Sequence, residues 1–259
     1  MTSIKRYKFS YQTIVTYQSM VAAYHFMLRC TPCDLPMQRL KECQLHLLSP
    51  AVISRSEDAF GNVIHYGYLN EAHDIFVVAS NGVVERGDYR IEDAKPQGFY
   101  RAQSHLTHLD SALSQFNRSL EAEGDHFEVA VALSQAVHRR MVYCAGVTSF
   151  DTTAAEALSY GEGVCQDFSH ILLALCRERA IFARYVVGFV VGTGATHAWV
   201  EVWCDGVWRG VDPTHNQVAG DGYIKLSHGR DAADCSVIRG TKKGLAPHAT
   251  QIRVVVEEI

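Results

Sequence analysis

The first third of the chain alternates hydrophobic and polar residues, or carries short hydrophobic runs between turn residues. The segment "YKFSYQTIV" (7–15) alternates with a period of two, and "VIHYGYL" (63–69) and "DIFVVAS" (74–80) are rich in strand-forming residues. A period of two indicates a strand with one buried face. Several short strands separated by turns predict an antiparallel β domain over residues 1–95, either a sandwich or a half-barrel.

Turn residues divide these strands and then mark the end of the β region. The segment "DAFGN" (58–62) predicts a turn, and Asn81-Gly82 predicts a tight hairpin, because both turn positions require positive φ. The segment "DAKPQGFY" (93–100) contains both a proline and a glycine and interrupts the strand pattern. We therefore place a domain boundary there, with a second domain over residues 96–259.

Helical periodicity replaces the strand pattern after this boundary. The segment "HFEVAVALSQAVHRRMVY" (126–143) has hydrophobic residues at helical spacing and lacks glycine and proline. A second helix follows the "GEG" segment at 161–163, and its buried stripe is formed by Val164, Phe168, Ile171, Leu172 and Leu175. The two glycines permit a sharp turn and a close backbone approach in front of that helix.

Cys165 lies in the first turn of this second predicted helix. Unpaired backbone N–H groups and the positive end of the helix dipole favour an anion at this position, and a thiolate is an anion. A cysteine in an intracellular protein is more often a small buried hydrophobic residue than a nucleophile. The position of Cys165 indicates catalysis only if a base lies near it.

A hairpin supplies such a base. In "HAWVEVWCDGVWRGVD" (197–212), Asp205-Gly206 predicts a two-residue turn that places Cys204 opposite Val207. With this register, His197 and Asp212 are diagonal neighbours on one face, about 7–8 Å apart at the backbone. A loop longer by one residue would place the two side chains on opposite faces.

Cys165, His197 and Asp212 therefore occur in an order and on elements that suit an activated nucleophile. In such an arrangement the histidine accepts the thiol proton, and the carboxylate fixes the orientation of the imidazole. Each signal alone has a structural explanation, since a strand histidine is usually structural and "DP" commonly forms a turn. We predict these three residues as a catalytic triad.

The segment "GVCQDFSHILLALCRERAIFARYVVGF", followed by "HAWVEVW" and "DPTHN", resembles the bacterial branch of the transglutaminase-like superfamily, whose members are often described as cysteine proteases. The resemblance extends to "DAFGNVIHYGYL" (58–69) in the N-terminal β domain. It implies an α+β, papain-like core with the cysteine helix packed on an antiparallel sheet, and it assigns the triad to the same three residues. Ala180 and Phe182 depart from the family pattern "GIPAR".

The predicted chemistry is thiol-dependent acyl transfer through an acyl-enzyme. Attack by water on this intermediate gives hydrolysis of a peptide or amide bond, which we favour, and attack by a primary amine gives transamidation. The backbone N–H of Cys165 is a candidate oxyanion donor. A non-catalytic binding or scaffolding module is the alternative from another functional class.

Composition narrows the partners and the compartment. The 259 residues carry a net charge of −4, which argues against nucleic acid or an anionic membrane as a partner. We find neither an apolar run long enough to span a membrane nor a signal peptide, and we expect a cytoplasmic protein with free thiols. We predict no cofactor or metal, although zinc-ligand types occur at Cys30, Cys33, Cys43 and His46. The sequence leaves the oligomeric state open.

Overall fold

The computed structural model describes residues 4–87 and 95–259. The first part of the chain forms five strands: β1 (Lys5–Leu28), β2 (Gln38–Leu47), β3 (Val52–Glu57), β4 (Val63–Leu69) and β5 (His73–Arg86). A 3₁₀ turn at Gly98–Arg101 leads into helices and short strands: α1 (Ser111–Arg118), α2 (His126–Arg140), β6 (Val142–Tyr143), α3 (Ala154–Tyr160), β7 (Glu162–Gly163) and α4 (Cys165–Glu178). The remaining elements are β8 (Ala183–Val190), β9 (Gly192–Gly194), β10 (His197–Cys204), β11 (Val207–Asp212), β12 (Gln217–Val218), β13 (Tyr223–Gly229), α5 (Ala232–Cys235), β14 (Ile238–Lys243) and β15 (His248–Glu258).

The long strand β1 organises an antiparallel sheet from both ends of the chain. Its first half lies between β5 and β15, with Phe9 opposite Gly82 on one side and Val256 on the other. Its second half pairs with β4 and β14, while β2, β3 and β9 add to β5, β4 and β15. Because β14 and β15 lie within residues 96–259 but pair with β1, the first sheet contains strands from both predicted domains, and the division at 95/96 stays a prediction.

The hairpin predicted at Asn81-Gly82 is wrong. Both residues lie inside β5, where Asn81 pairs with Ser10 and Gly82 with Phe9. A Cβ on Gly82 would lie 2.9 Å from the Phe9 ring and would collide with the carbonyl oxygen of Glu42. The glycine therefore makes room for a ring in the core, and its packing overrides the local turn preference.

A five-stranded antiparallel sheet forms the centre of the second part, in the order β12-β11-β10-β8-β13. Helix α4 packs on one face, in a core that includes Ala198, Val200 and Val202 of β10. Phe189 of β8 belongs instead to the core of the first sheet, with its ring 5.6 Å from Phe9 and from Tyr11. The α+β class, the N-terminal antiparallel half-barrel and the sheet-packed cysteine helix are therefore confirmed.

The helices of the described residues are at most 15 residues long. The predicted helix at 126–143 is α2, which begins behind an Asp125–Glu128 capping box and ends at Arg140. Over residues 4–87 and 95–259, the structure contains no helix with the length and hydropathy needed to cross a membrane.

Candidate active site

Two glycines position the start of α4, where Cys165 is the first helical residue. Gly161 ends α3 with φ of 71°, a left-handed conformation that favours glycine. Gly163 pairs with Tyr143 in the short β6–β7 ladder, immediately before the helix. The chain thus reverses between α3 and α4 within a few residues and presents Cys165 at a helix N-terminus.

Asp167 explains why the residue before the helix cap must be small. Its Oδ2 accepts hydrogen bonds from the backbone N–H of Val164 and from the Thr148 hydroxyl, both at 2.7 Å. A Cβ on Gly163 would lie 2.6 Å from that same oxygen. Burial raises the pKa of Asp167, against the effect of its hydrogen bonds. The Asp167 carboxyl thus caps the N-terminus of α4 and holds in place the backbone that leads into Cys165.

The β10–β11 hairpin has the register expected from its two-residue turn. Asp205 and Gly206 both have positive φ, at 53° and 81°, as a type I′ turn requires. Cys204 pairs with Val207, and the ladder continues outward to Val200 opposite Val211. The side-chain alternation that placed His197 and Asp212 on one face therefore holds.

The structure brings the three predicted triad residues together. His197 Nε2 lies 2.7 Å from Asp212 Oδ2, and the Cys165 side chain lies close enough to the imidazole to affect its pKa. Since Nε2 faces the carboxylate, Nδ1 is the ring nitrogen left for the thiol. Burial opposes a charge on His197, but the interactions with Asp212 and Cys165 prevail and raise its pKa to about 9. The geometry thus favours a protonated imidazole beside the Asp212 carboxylate.

Asp212 is fully buried and is satisfied by hydrogen-bond donors from three directions. Its Oδ1 accepts the backbone N–H groups of Thr214 (2.9 Å) and His215 (3.1 Å). Its Oδ2 accepts the Tyr223 hydroxyl at 2.7 Å and contacts His215 Nδ1 at 2.9 Å, in addition to His197. Burial alone would favour the neutral acid, but these donors lower the pKa of Asp212 to about 2. The carboxylate is held ionised and immobile.

His215 and Tyr223 are site residues that the sequence analysis missed. The His215 ring stacks on the His197 ring with centroids 4.6 Å apart, and its side chain is 49% exposed. It belongs to the quoted "DPTHN" segment, so its position three residues after Asp212 was an available signal. Tyr223 lies on β13 and reaches Asp212 across the sheet, and nothing in its local sequence indicates this.

Trp199 shapes the floor beside the triad. A Cβ on Gly188 would lie 2.6 Å from its indole, and one on Gly210 would lie 3.5 Å or less from it, so both glycines accommodate the ring. The indole packs edge-on against Tyr223 at 5.2 Å and lies 6.4 Å from the His197 ring. The large buried ring thereby supports two groups that contact Asp212.

The entrance to the site is open on the side of Cys165. Cys165 itself is half-buried, and the neighbouring Tyr143 is 60% exposed. Burial raises the pKa of Tyr143, whose ring lies 6.5 Å from that of Phe168 in α4. Gln166 is turned away, since its side-chain amide donates to the Phe150 carbonyl at 3.0 Å.

One group of metal-ligand types coincides with this site. Ligand atoms of His197, Asp212 and His215 lie within 4.8 Å of one another, which suits a metal ion in principle. These atoms already contact each other through the hydrogen bonds described above. A second such group, Asp125, Cys204 and Asp205, lies at the hairpin turn and α2 cap. Neither group contains Cys30, Cys33 or Cys43.

Two family models match the chain without overlap. The bacterial transglutaminase-like N-terminal region matches residues 7–85, and the transglutaminase-like superfamily core matches residues 114–213. Residues 114–213 belong to the transglutaminase-like superfamily. The core model contains Cys165, His197 and Asp212, and the N-terminal model covers the strands from β1 to β5. The resemblance found in the sequence is therefore confirmed.

Related proteins match this chain over nearly its whole length. Uncharacterised proteins of Mycobacterium tuberculosis and Mycobacterium leprae are 28% and 27% identical, covering 93% and 97% of this chain and 88% and 98% of their own. A solved structure named a "putative cysteine protease" from Cytophaga hutchinsonii superposes with a TM-score of 0.84 at 21% identity. The superposition covers 100% of this chain and 92% of the Cytophaga hutchinsonii chain, so the two proteins share both parts of the fold.

Proposed function

We propose that this protein is a thiol-dependent hydrolase of peptide or amide bonds, with Cys165 as nucleophile, His197 as general acid–base and Asp212 as the carboxylate that positions His197. The observation that carries the proposal is the 2.7 Å contact between His197 Nε2 and Asp212 Oδ2, with Cys165 at the start of α4 beside the same imidazole. The name of the Cytophaga hutchinsonii protein agrees with this chemistry, although its similarity establishes only the fold.

The first half-reaction forms the acyl-enzyme. The Cys165 sulfur attacks the carbonyl carbon, and the carbonyl π electrons move onto oxygen to form a tetrahedral oxyanion. The Cys165 backbone N–H is the first in α4, where it has no intrahelical acceptor, and it supports the oxyanion. When the intermediate collapses, the C–N bond breaks and the imidazolium of His197 donates its proton to the departing amine.

The second half-reaction releases the acid. Neutral His197 takes a proton from water while the water oxygen bonds to the acyl carbon, and the C–S bond then breaks to return the thiolate. A primary amine in place of water would give a new amide by the same steps. The half-buried thiol and the exposed Tyr143 beside it leave the site accessible to water, which favours hydrolysis.

An active-site probe tests the nucleophile, and a substrate screen tests the reaction. A peptide probe with an electrophilic carbonyl should form one adduct on Cys165, and the Cys165→Ala variant should form none. The protein is then incubated with a library of peptides and amides, with and without a primary amine, and the products are weighed by mass spectrometry. Pairs of fragments whose combined mass equals the substrate plus one water support hydrolysis, whereas amine adducts in place of acids would indicate transamidation.

The same experiments distinguish a non-catalytic module. Binding of library peptides without any adduct on Cys165 and without any product would contradict the proposed chemistry. It would leave the β domain and the cleft as a binding surface.

A further inference from the structure

A cavity lies next to the triad. It has a volume of about 580 Å³ and lies over the face of the five-stranded sheet that carries Trp199 and Glu201. The segment at 35–37, between β1 and β2, closes it from the side of the first sheet. Cys165, His197 and Asp212 do not line it, but Trp199 and Tyr223 do, and their rings lie 6.4 and 6.3 Å from that of His197.

Three charged side chains lie together at the bottom of this cavity. Glu201 Oε2 accepts from the Arg184 guanidinium and from Lys225 Nζ, each at 2.6 Å. The side chains of Arg184 and Lys225 are 9% and 3% exposed, so both cations are largely withdrawn from water. Two cations share one carboxylate oxygen, and the trio therefore has one positive charge in excess.

Other charged residues line the cavity beyond the trio, namely Arg86, Arg209 and Asp221. Arg209 is paired with Asp205 at 3.4 Å, so the excess of positive charge lies in the buried trio, in a chain whose net charge is −4. An excess of buried positive charge attracts an anion, because low surrounding dielectric strengthens the interaction.

The pKa values of Lys225 and Glu201 agree with an excess of positive charge in the trio. Burial and the Arg184 charge lower the pKa of Lys225 to about 8, against the opposing pull of Glu201. Burial opposes ionisation of Glu201, but the two cations prevail and lower its pKa to about 2. The Glu201 carboxylate is therefore ionised and already paired with both cations. Lys225 Nζ carries three protons, and Glu201 is the acceptor that the described residues provide for it.

The walls are apolar and aromatic. The Trp208 ring lies under the Arg184 guanidinium at 4.0 Å, and Trp199 is buried beside Tyr223. Phe127 of α2 and Leu35 of the β1–β2 segment complete the opposite side. We propose that this cavity binds a small carboxylate with an aromatic or aliphatic body, its carboxylate meeting Lys225 and Arg184 and its body lying between the rings.

The site is separate from the proposed chemistry, and its test requires no turnover. Two of the three tryptophans, Trp199 and Trp208, line the cavity, so their fluorescence reports binding. The protein is titrated with 3-phenylpropionate and with the uncharged 3-phenylpropionamide at pH 7. The two probes have the same body and differ in charge. We expect saturable binding of the carboxylate at least about 10-fold tighter than of the amide, since only the carboxylate carries a charge that attracts the buried cations.

Substitution at the trio assigns the binding to this cavity. Lys225→Met leaves Glu201 paired with Arg184 and removes the excess charge, so the carboxylate should lose about 10-fold in affinity while the amide changes little. Glu201→Gln removes the competing carboxylate and should strengthen carboxylate binding. Lys41→Met is the matched control, because Lys41 is 48% exposed and does not line the cavity.

Thermal melts monitored by circular dichroism show whether each variant folds. Equal affinity for the acid and the amide in the wild-type protein, or absence of saturable binding, would overturn the proposal even if Lys225→Met does not fold. Unchanged carboxylate affinity in folded Lys225→Met would overturn it as well.

Discussion

The Tyr223 hydroxyl donates to Asp212 Oδ2 at 2.7 Å, the same carboxylate oxygen that His197 contacts. Gln217 Nε2 in turn donates to the Tyr223 oxygen at 2.7 Å, so the phenol is held in place from outside. The carboxylate therefore cannot rotate away from His197 without breaking its bonds to Tyr223 and to the backbone of Thr214 and His215. This relationship connects β13, at one edge of the five-stranded sheet, to β11 near the other.

Tyr223→Phe removes one donor to a buried carboxylate while it preserves the ring against Trp199. A hydrogen bond to a charged group contributes about 1.5–3 kcal/mol, so kcat/KM should fall by roughly 10- to 100-fold. The rate is measured on a substrate from the screen, or as the rate of Cys165 alkylation. Tyr7→Phe is the control, since its hydroxyl contacts Glu258 in the first sheet. An equal loss in both variants would show a general effect on folding.

The triad residues should behave as one catalytic unit. Cys165→Ala should abolish turnover, because no other nucleophile occupies that position. Asp212→Asn should lower kcat by roughly 10⁴-fold, by analogy with serine triads in which the asparagine stabilises the wrong imidazole tautomer. Cys165→Ala should leave the melting temperature nearly unchanged, since the half-buried thiol leaves a small cavity. Retained turnover in Cys165→Ala would exclude the catalytic assignment.

Brief treatment with iodoacetamide at pH 6 should modify Cys165 before the other seven cysteines. Burial raises the pKa values of Cys30, Cys33, Cys176, Cys204 and Cys235, so these thiols stay protonated and covered. Cys165 instead lies half-buried beside the imidazole of His197. Peptide mapping by mass spectrometry measures the labelling of each site. His197→Ala should remove most of the selectivity, whereas even labelling over Cys43, Cys144 and Cys165 in the wild type would contradict the arrangement.

The pH dependence should reflect the pKa of His197. Because this pKa is raised from 6.5 to about 9, the imidazolium persists at neutral pH, and activity should decline as pH rises through about 9. The raised pKa of His197 also contributes to the stability of the fold. This contribution is fully present below pH 6.5 and is lost as the pH rises through about 9. The pKa of Asp212, lowered from 3.8 to about 2, contributes stability above pH 3.8 that is lost as pH falls through 2.

Asp212→Asn should move the alkaline limb of the pH–rate profile to lower pH, since it removes the negative charge that favours the imidazolium. Residual activity of the variant between pH 5 and 10 measures this shift. A limb that stays at the wild-type position would assign the titration to another group.

Gly163→Ala should destabilise the protein by about 1–3 kcal/mol, because the new Cβ would lie 2.6 Å from Asp167 Oδ2 beneath α4. Urea denaturation measures the loss. Gly98→Ala is the matched control, since no atom lies within 4 Å of the added carbon and its φ is unremarkable. Similar stability of the two variants would show that Asp167 can shift at little cost.

The sequence alone determined the parts of the site that depend on short-range backbone preferences. Helical periodicity after "GEG" located Cys165 at a helix start, and the Asp205-Gly206 turn set the hairpin register. Since side chains alternate along a strand, that register brought His197 to Asp212 without knowledge of the rest of the fold. Each inference needed fewer than about twenty residues of chain.

Tertiary structure decided what depends on how the sheets pack. Asn81-Gly82 has the residues of a turn but lies inside β5, because the Phe9 ring requires the space that a glycine leaves. Tyr223 reaches Asp212 only because β13 and β11 lie in one sheet. Lys225 on β13 and Glu201 on β10 are 24 positions apart in the sequence and likewise meet across the sheet. Local sequence encodes backbone conformation and the alternation of faces, whereas contacts between distant strands arise from burial of both sheets around shared cores, which no short segment specifies.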